Sequence, residues 1–179
     1  MKPFLFDIMK DIIGDAKCTF IGEIGTHHGG TAYQLVSHLA PRVDHITYYG
    51  YDVFDAVKGD RAFADKERNG KGAGSLERAK QQFRKAQKRF GNVSYELFQG
   101  FTTDTLTSPV VFDFVYIDGG HSYDTVKHDY SMVKDSKLIV FDDVKITGVN
   151  NFIKELKEEG VEIELVTTPS KHVWAVVRN

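Results

Sequence analysis

One stretch, Thr19 to Thr31 (TFIGEIGTHHGGT), limits what this chain can fold into more than any other. It opens as an apolar run with an acidic residue near its end, Glu23, and passes into a glycine turn at Gly25, Gly29 and Gly30. A helical pattern then begins at Thr31, with Ala32, Leu35, Val36 and Leu39 at the one-face spacing of an amphipathic helix. Strand, glycine turn and helix N-terminus in that order bring backbone close to a ligand and aim amide N–H groups at it. The stretch predicts a nucleotide-type pocket at the carboxyl edge of a sheet. The alternative is a tight strand-to-helix turn in some other α/β domain.

The glycine spacing argues against a dinucleotide. Gly22, Gly25, Gly29 and Gly30 do not supply G-x-G-x-x-G, and no lysine follows them as a P-loop requires. What remains is E-x-G-x-x-x-G, with a carboxylate two residues before the first turn glycine. That charge suits a cationic ligand and repels a pyrophosphate. The stretch resembles the first motif of the S-adenosylmethionine-dependent methyltransferases with a Rossmann-like fold, in which the glycines make room for the amino-acid end of the cofactor. The resemblance implies that Glu23, Gly25, Thr26, His27, Gly29, Gly30 and Thr31 border S-adenosyl-L-methionine. His27 and His28, both in this loop, are expected to line the pocket rather than to catalyse or bind zinc.

A chain of 179 residues is expected to form one domain, residues 1–179. Its formal net charge of -2 gives no basic footprint for nucleic acid, and no apolar run reaches the length of a membrane span. The N-terminus carries Asp7 and Asp11 inside its apolar pattern and does not read as a signal peptide. Cys18 is the only cysteine, which excludes an internal disulfide and leaves a cytoplasmic location as the expectation. A buried, inert thiol is expected there.

Leu5, Ile8, Met9, Ile12 and Ile13 share a helical face that Gly14 stops; it covers the sheet or a neighbouring subunit, so a homodimer is open. The first strand is expected over about 18–24, and the helix after the glycine turn ends before Pro41. His45–Val53 reads as the second strand, ending at Asp52 and Val53. A carboxylate at that place in a Rossmann-like site accepts from both ribose hydroxyls; a solvated loop acid is the alternative. Residues 54–74 are polar and glycine-rich and read as a mobile lid beside the cofactor. Leu76, Ala79, Phe83, Ala86 and Phe90 form a helical stripe with Ser75 as cap, and the basic residues between them read as a solvated outer face. Val93–Phe98 is the third strand, with a turn at Gln99-Gly100-Phe101. The methyltransferase resemblance puts this turn near the adenine, where Gln99 would bond the amino edge and Phe101 pack on the face, unless both are structural.

Val110–Asp118 (VVFDFVYID) is a nearly continuous apolar run, as expected for a central strand covered on both faces. It ends in Asp118-Gly119-Gly120-His121, and a helix follows on Tyr123, Val126, Tyr130 and Val133. Leu138–Phe141 is the next strand and ends in Asp142-Asp143. Neighbouring strands would bring these carboxylates together, where they repel unless a cation separates them. Oxygen ligands suit a hard ion such as Mg²⁺, Mn²⁺ or Ca²⁺. IDGGHSYDTVKHDY followed by FDDV looks like the small O-methyltransferases of the class-24 type. More distantly it is similar to metal-dependent catechol and macrolide-sugar enzymes. Over residues 18–143 the resemblance implies a metal held by Asp118, Asp142 and Asp143. Catechol-type enzymes place a lysine base three residues after the first metal acid, where this chain has His121. Histidine exchanges protons near neutral pH and can serve as base. Asp118 as a helix cap or a partner of the cofactor amine, and His121 as a structural hydrogen-bonder, are the alternatives.

The chain closes with a helix on Val149, Phe152, Ile153 and Leu156, then strands at Val161–Thr167 and His172–Val177 around a short turn. The expectation is a three-layer α/β, Rossmann-like methyltransferase fold with a seven-stranded mixed sheet and a C-terminal antiparallel hairpin. The expected activity is O-methylation of a small-molecule hydroxyl using S-adenosyl-L-methionine and a divalent metal, Mg²⁺ or Mn²⁺, with Asp118 and His121 as catalytic residues. A metal-dependent hydroxylase or hydrolase, or a non-catalytic cofactor-binding module, is the alternative.

Overall fold

The computed structural model describes residues 3–57, 62, 66–67, 72–169 and 171–179. Strands and helices alternate as α1 (Pro3–Ile13), β1 (Phe20–Ile24), α2 (Gly30–Leu39), β2 (Ile46–Asp52), α3 (Leu76–Phe90) and β3 (Val93–Gln99). After a one-turn α4 (Thr102–Thr105) come β4 (Phe114–Ile117), α5 (Tyr123–Val133), β5 (Leu138–Phe141), α6 (Thr147–Glu158), β6 (Glu164–Thr167) and β7 (Val173–Arg178). The strands form one sheet in the order β3-β2-β1-β4-β5-β7-β6. Strands β1 to β5 are parallel, and β7 runs antiparallel between β5 and β6. This is the expected seven-stranded mixed sheet with its terminal antiparallel pair. No helix among the described residues is long and apolar enough to cross a membrane.

Two cores explain the three layers. In β4, Phe114 and Tyr116 face one way and Val115 and Ile117 the other, and all four are buried. The first pair joins Met9, Leu35, Val36 and Phe83 from α1, α2 and α3. The second joins Val126, Val133, Val149 and Phe152 from α5 and α6. A strand covered on both faces loses the polar half of its alternation, which is why it reads as a continuous apolar run. Each such fully buried side chain contributes about 1.5–3 kcal/mol. Met9, Ile12 and Ile13 lie within the first core, so this face of α1 covers the sheet. Two helices start on serines: Ser75 Oγ accepts from Arg78 N, and Ser122 Oγ from Thr125 N at 3.4 Å.

Three expectations are corrected or fall outside the described residues. Val110–Phe112 are not part of β4, because their amides bond elsewhere: Val110 N donates to Met132 O and Phe112 N to Ser136 Oγ. Val161–Ile163 precede β6; Val161 N donates to Leu156 O and closes the end of α6. Of the expected 54–74 lid, residues 58–61, 63–65 and 68–71 lie outside the described residues. Cys18 is buried, and burial, then the nearby Asp113, pushes its thiol up to about 11, as an inert cysteine requires.

Candidate active site

Register places the strand ends at one level. Ile24 lies opposite both Tyr51 and Ile117, and Ile117 opposite Phe141. The next residues, Gly25, Asp52, Asp118 and Asp142, therefore leave the sheet together. Backbone bonds continue past the strands: Gly25 N to Tyr51 O and Asp118 N to Ile24 O at 2.8 Å, and Asp142 N to Ile117 O at 2.9 Å. Gly25 has φ +97°, and a Cβ there would stand 2.0 Å from the Asp118 carbonyl oxygen. Only glycine permits this approach. Over this edge lies a cavity of about 920 Å³.

Most of the expected cofactor residues line it. From the first turn come Gly25, Thr26, His27, Gly30 and Thr31; from the β2 end, Asp52 and Val53; from the β3 and β4 exits, Gly100, Phe101 and Asp118. Glu23, Gly29 and Gln99 are not among the lining residues. Glu23 is 1% exposed and points into the first core, where it accepts from Tyr48 Oη at 2.9 Å. Burial, against the pull of that hydrogen bond, pushes its carboxyl up to about 8. Gly29 backs onto α3, where a Cβ would lie 3.1 Å from Ala79 Cα. Gln99 is exposed at the end of β3.

Asp52 does structural work at the cavity wall. Its Oδ2 accepts from His27 N at 2.8 Å and its Oδ1 from Phe54 N at 2.6 Å. Both partners have left-handed backbone, φ 52° and 46°, a conformation that costs a non-glycine residue about 1–2 kcal/mol. The carboxylate holds both in place.

The expected metal acids divide. Asp118, His121 and Asp143 each offer one ligand atom, all within 4.8 Å of one another. Asp142, one of the expected set of Asp118, Asp142 and Asp143, is not in this group, which takes in His121 instead. Its carboxylate accepts from Tyr116 Oη, from Asp143 N at 2.6 Å, and meets His172 Nε2 at 2.6 Å. Asp143 has φ 52°, which turns its side chain away from that of Asp142. Acceptance by the Asp142 carboxylate raises the His172 pKa against its partial burial. His121 is 6% exposed; its Nε2 lies 3.0 Å from Asp143 Oδ2, and its Nδ1 has no hydrogen-bond partner among the described residues. Asp118 does not cap α5; Ser122 does.

His28 lines the cavity beside His27. Its Nδ1 accepts from Ser75 N at 3.0 Å, and burial, then His27, lowers its pKa. Sequence reasoning missed Glu67, Thr102, Thr125 and Asp129, all of which line the cavity too. Glu67 accepts from Ser122 N at 3.0 Å; that N–H, with Lys66, overcomes burial and lowers its pKa. Nothing in the polar 54–74 segment marks Glu67. Asp129 carried a signal, standing three residues after Val126 and four before Val133 on the inner face of α5.

A family model described as a methyltransferase domain, Methyltransf_24, matches residues 23–144, about two-thirds of the chain. The fold is similar to that of the O-methyltransferase NovP, with a TM-score of 0.72 and 21% identity, covering 98% of this chain and 77% of that one. It is similar to the calicheamicin methyltransferase CalS11, with a TM-score of 0.69 and 17% identity over 97% and 77% of the two chains. An O-methyltransferase from Bacillus cereus in complex with SAH gives 0.63 and 14% identity over 100% and 82%. At these identities the likeness carries the fold. No curated protein matches the chain.

Proposed function

The chain belongs to the Methyltransf_24 family of methyltransferase domains, and we propose that it moves the methyl group of S-adenosylmethionine to a small-molecule hydroxyl with help from a divalent metal. The observation that carries this reading is one cavity lined by the Gly25–Thr31 turn, Asp52 and the Gly100–Thr102 turn, with Asp118 and His121 in its wall. CalS11 is a TDP-rhamnose 3'-O-methyltransferase and NovP an O-methyltransferase, which favours oxygen as the acceptor atom.

The residues fit the cofactor. The N-terminus of α2 has no side-chain cap, so its first amides can meet the carboxylate of a methionine moiety. A Cβ at Gly30 would meet nothing within 4 Å, leaving room above that turn. Asp52 would accept ribose hydroxyls beside the two amides it holds. Bound S-adenosylmethionine supplies an electrophilic sulfonium methyl, and a bound divalent cation would supply Lewis acidity toward the acceptor oxygen. Asp118, His121 and Asp143 would hold that cation, and two carboxylates with an imidazole suit Mn²⁺ better than Mg²⁺. The protein's part is alignment of acceptor and methyl on a rigid sheet edge.

A metal-free version rests on the same histidine. With Asp143 accepting from Nε2–H, the imidazole would present Nδ1 as the base, the atom without a hydrogen-bond partner among the described residues. Calorimetric titration with S-adenosylhomocysteine, with Mn²⁺ and then with a chelator, tests the first step. The reading expects micromolar binding in both, with methyl transfer to hydroxyl acceptors lost in the chelator and in D143N. Transfer that survives the chelator but not H121A moves the chemistry to the histidine dyad. Absence of binding in both conditions refutes the methyltransferase reading.

A further inference from the structure

Asp129 is the unexplained group in this cavity. It is 0% exposed and lines the cavity, yet neither carboxylate oxygen has a hydrogen-bond partner among the described residues. Its Oδ2 lies 3.5 Å from where a Cβ on Gly119 would stand, so the carboxylate faces the β4 exit. The Thr102 side chain is beside it without engaging either oxygen at hydrogen-bond geometry. Burial pushes its pKa up to about 7, with Glu67 adding to the rise and Thr102 opposing it. A buried polar group without partners is costly, and among the described residues only the Thr102 side chain offsets that cost. A ligand in the cavity can.

The walls around Asp129 define the ligand's shape. Gly119, Gly120, Thr125 and the Gly100-Phe101-Thr102 turn line the same cavity as Asp129, and Phe101 is 46% exposed. An aromatic ring and glycine backbone in one cavity suit a planar ring, held by stacking and by backbone contact. A carboxylate at the edge of a planar ring selects an exocyclic amine.

We propose that Asp129 accepts a hydrogen bond from the amino group of the cofactor's adenine and is the residue that distinguishes adenine from a purine without that amine. The inference rests on the S-adenosylmethionine reading above. It assigns to α5 the role that sequence gave to Gln99, which is exposed outside the cavity.

The test compares S-adenosylhomocysteine with its analogue carrying unsubstituted purine, on wild type, D129A and D129N, by calorimetry. Wild type is expected to bind the purine analogue at least about tenfold more weakly, the loss of one hydrogen bond to a charged group. D129A is expected to bind S-adenosylhomocysteine about tenfold more weakly and to treat both compounds alike. D129N keeps a carbonyl acceptor and is expected to restore most of the preference. Ligand-free D129N should melt no lower than wild type, because the carboxylate has no hydrogen-bond partner among the described residues to lose. Equal affinity of D129A and wild type for S-adenosylhomocysteine overturns the proposal. So does a purine penalty that persists undiminished in D129A, or a destabilised D129N with unchanged affinity. A wild-type protein that binds neither compound overturns the methyltransferase reading itself; one that binds both equally overturns only the role of Asp129.

Discussion

Replacing Glu23 by glutamine separates a buried, proton-carrying scaffold residue from a ligand's counter-ion. Glu23 is 1% exposed on β1, with Tyr48 of β2 donating to it at 2.9 Å. Burial, opposed by that hydrogen bond and reinforced by Asp52, raises its carboxyl from 4.5 to about 8. The unfolded chain ionises the same group near its ordinary value. Between these two values the folded chain holds the extra proton, so stability is fully present below the unfolded pKa and is lost as pH rises through the folded one. At about 1.4 kcal/mol per pH unit, the interval from about pH 5 to about pH 8 removes about 4 kcal/mol. That is a large part of the roughly 5–15 kcal/mol available to a domain. E23Q does not titrate, and its amide carbonyl still accepts from Tyr48. Any fixed penalty for the amide is independent of pH. The Asp129 titration has the same sign and is present in both proteins, so it cancels in the difference. Urea unfolding followed through the buried Trp174 should therefore show E23Q gaining on wild type by about 4 kcal/mol across that range. A difference that stays constant with pH would refute a buried proton on Glu23.

Two further substitutions test the architecture around the site. A Cβ on Gly148 would stand 2.2 Å from His121 O and 2.7 Å from Tyr123 N; Gly148→Ala should cost about 1–3 kcal/mol and weaken methyl transfer more than S-adenosylhomocysteine binding. Asp113 accepts from Thr19 N at 2.9 Å, Phe20 N at 3.0 Å and Lys137 Nζ at 2.7 Å, which together overcome burial and hold its pKa down to about 2. Its contribution is present above its unfolded pKa and lost as pH falls through about 2. Asp113→Asn should therefore cost about 2 kcal/mol near neutral pH, a deficit that denaturant unfolding should find shrinking toward about pH 2.

The fold was legible because covered strands and one-faced helices leave periodic traces. VVFDFVYID and LIVF announce central strands, and a parallel sheet must bring their C-terminal residues to one edge. The direction of single side chains was less legible. Strand parity could have placed Glu23, since Ile21 shares its face and packs in the first core. Parity is silent about Asp142 and Asp143, because the left-handed backbone at Asp143 separates two adjacent carboxylates and sends one to Tyr116 and His172. Asp129 keeps the spacing of the inner face of α5 but not its residue type: an acid among those apolar positions reads as a break in the stripe until a cavity is seen beside it.

The acids at the sheet edge fall into two kinds, and the division explains how the site stays in register. Asp52 and Asp142 fix backbone: between them they hold His27, Phe54 and Asp143, three residues in a conformation that disfavours side chains. Strain of that sort persists only where the surroundings over-determine it. Asp118, His121 and Asp143 turn toward one another, and Asp118 is fastened to the cofactor turn, its N–H on Ile24 O and its carbonyl against Gly25. The turn expected to hold the cofactor and the group expected to hold the metal thus share backbone contacts between two central strands. Methyl transfer depends on alignment that a displacement of about 1 Å can spoil by about a hundredfold. An edge braced in this way can hold such an alignment through the sheet.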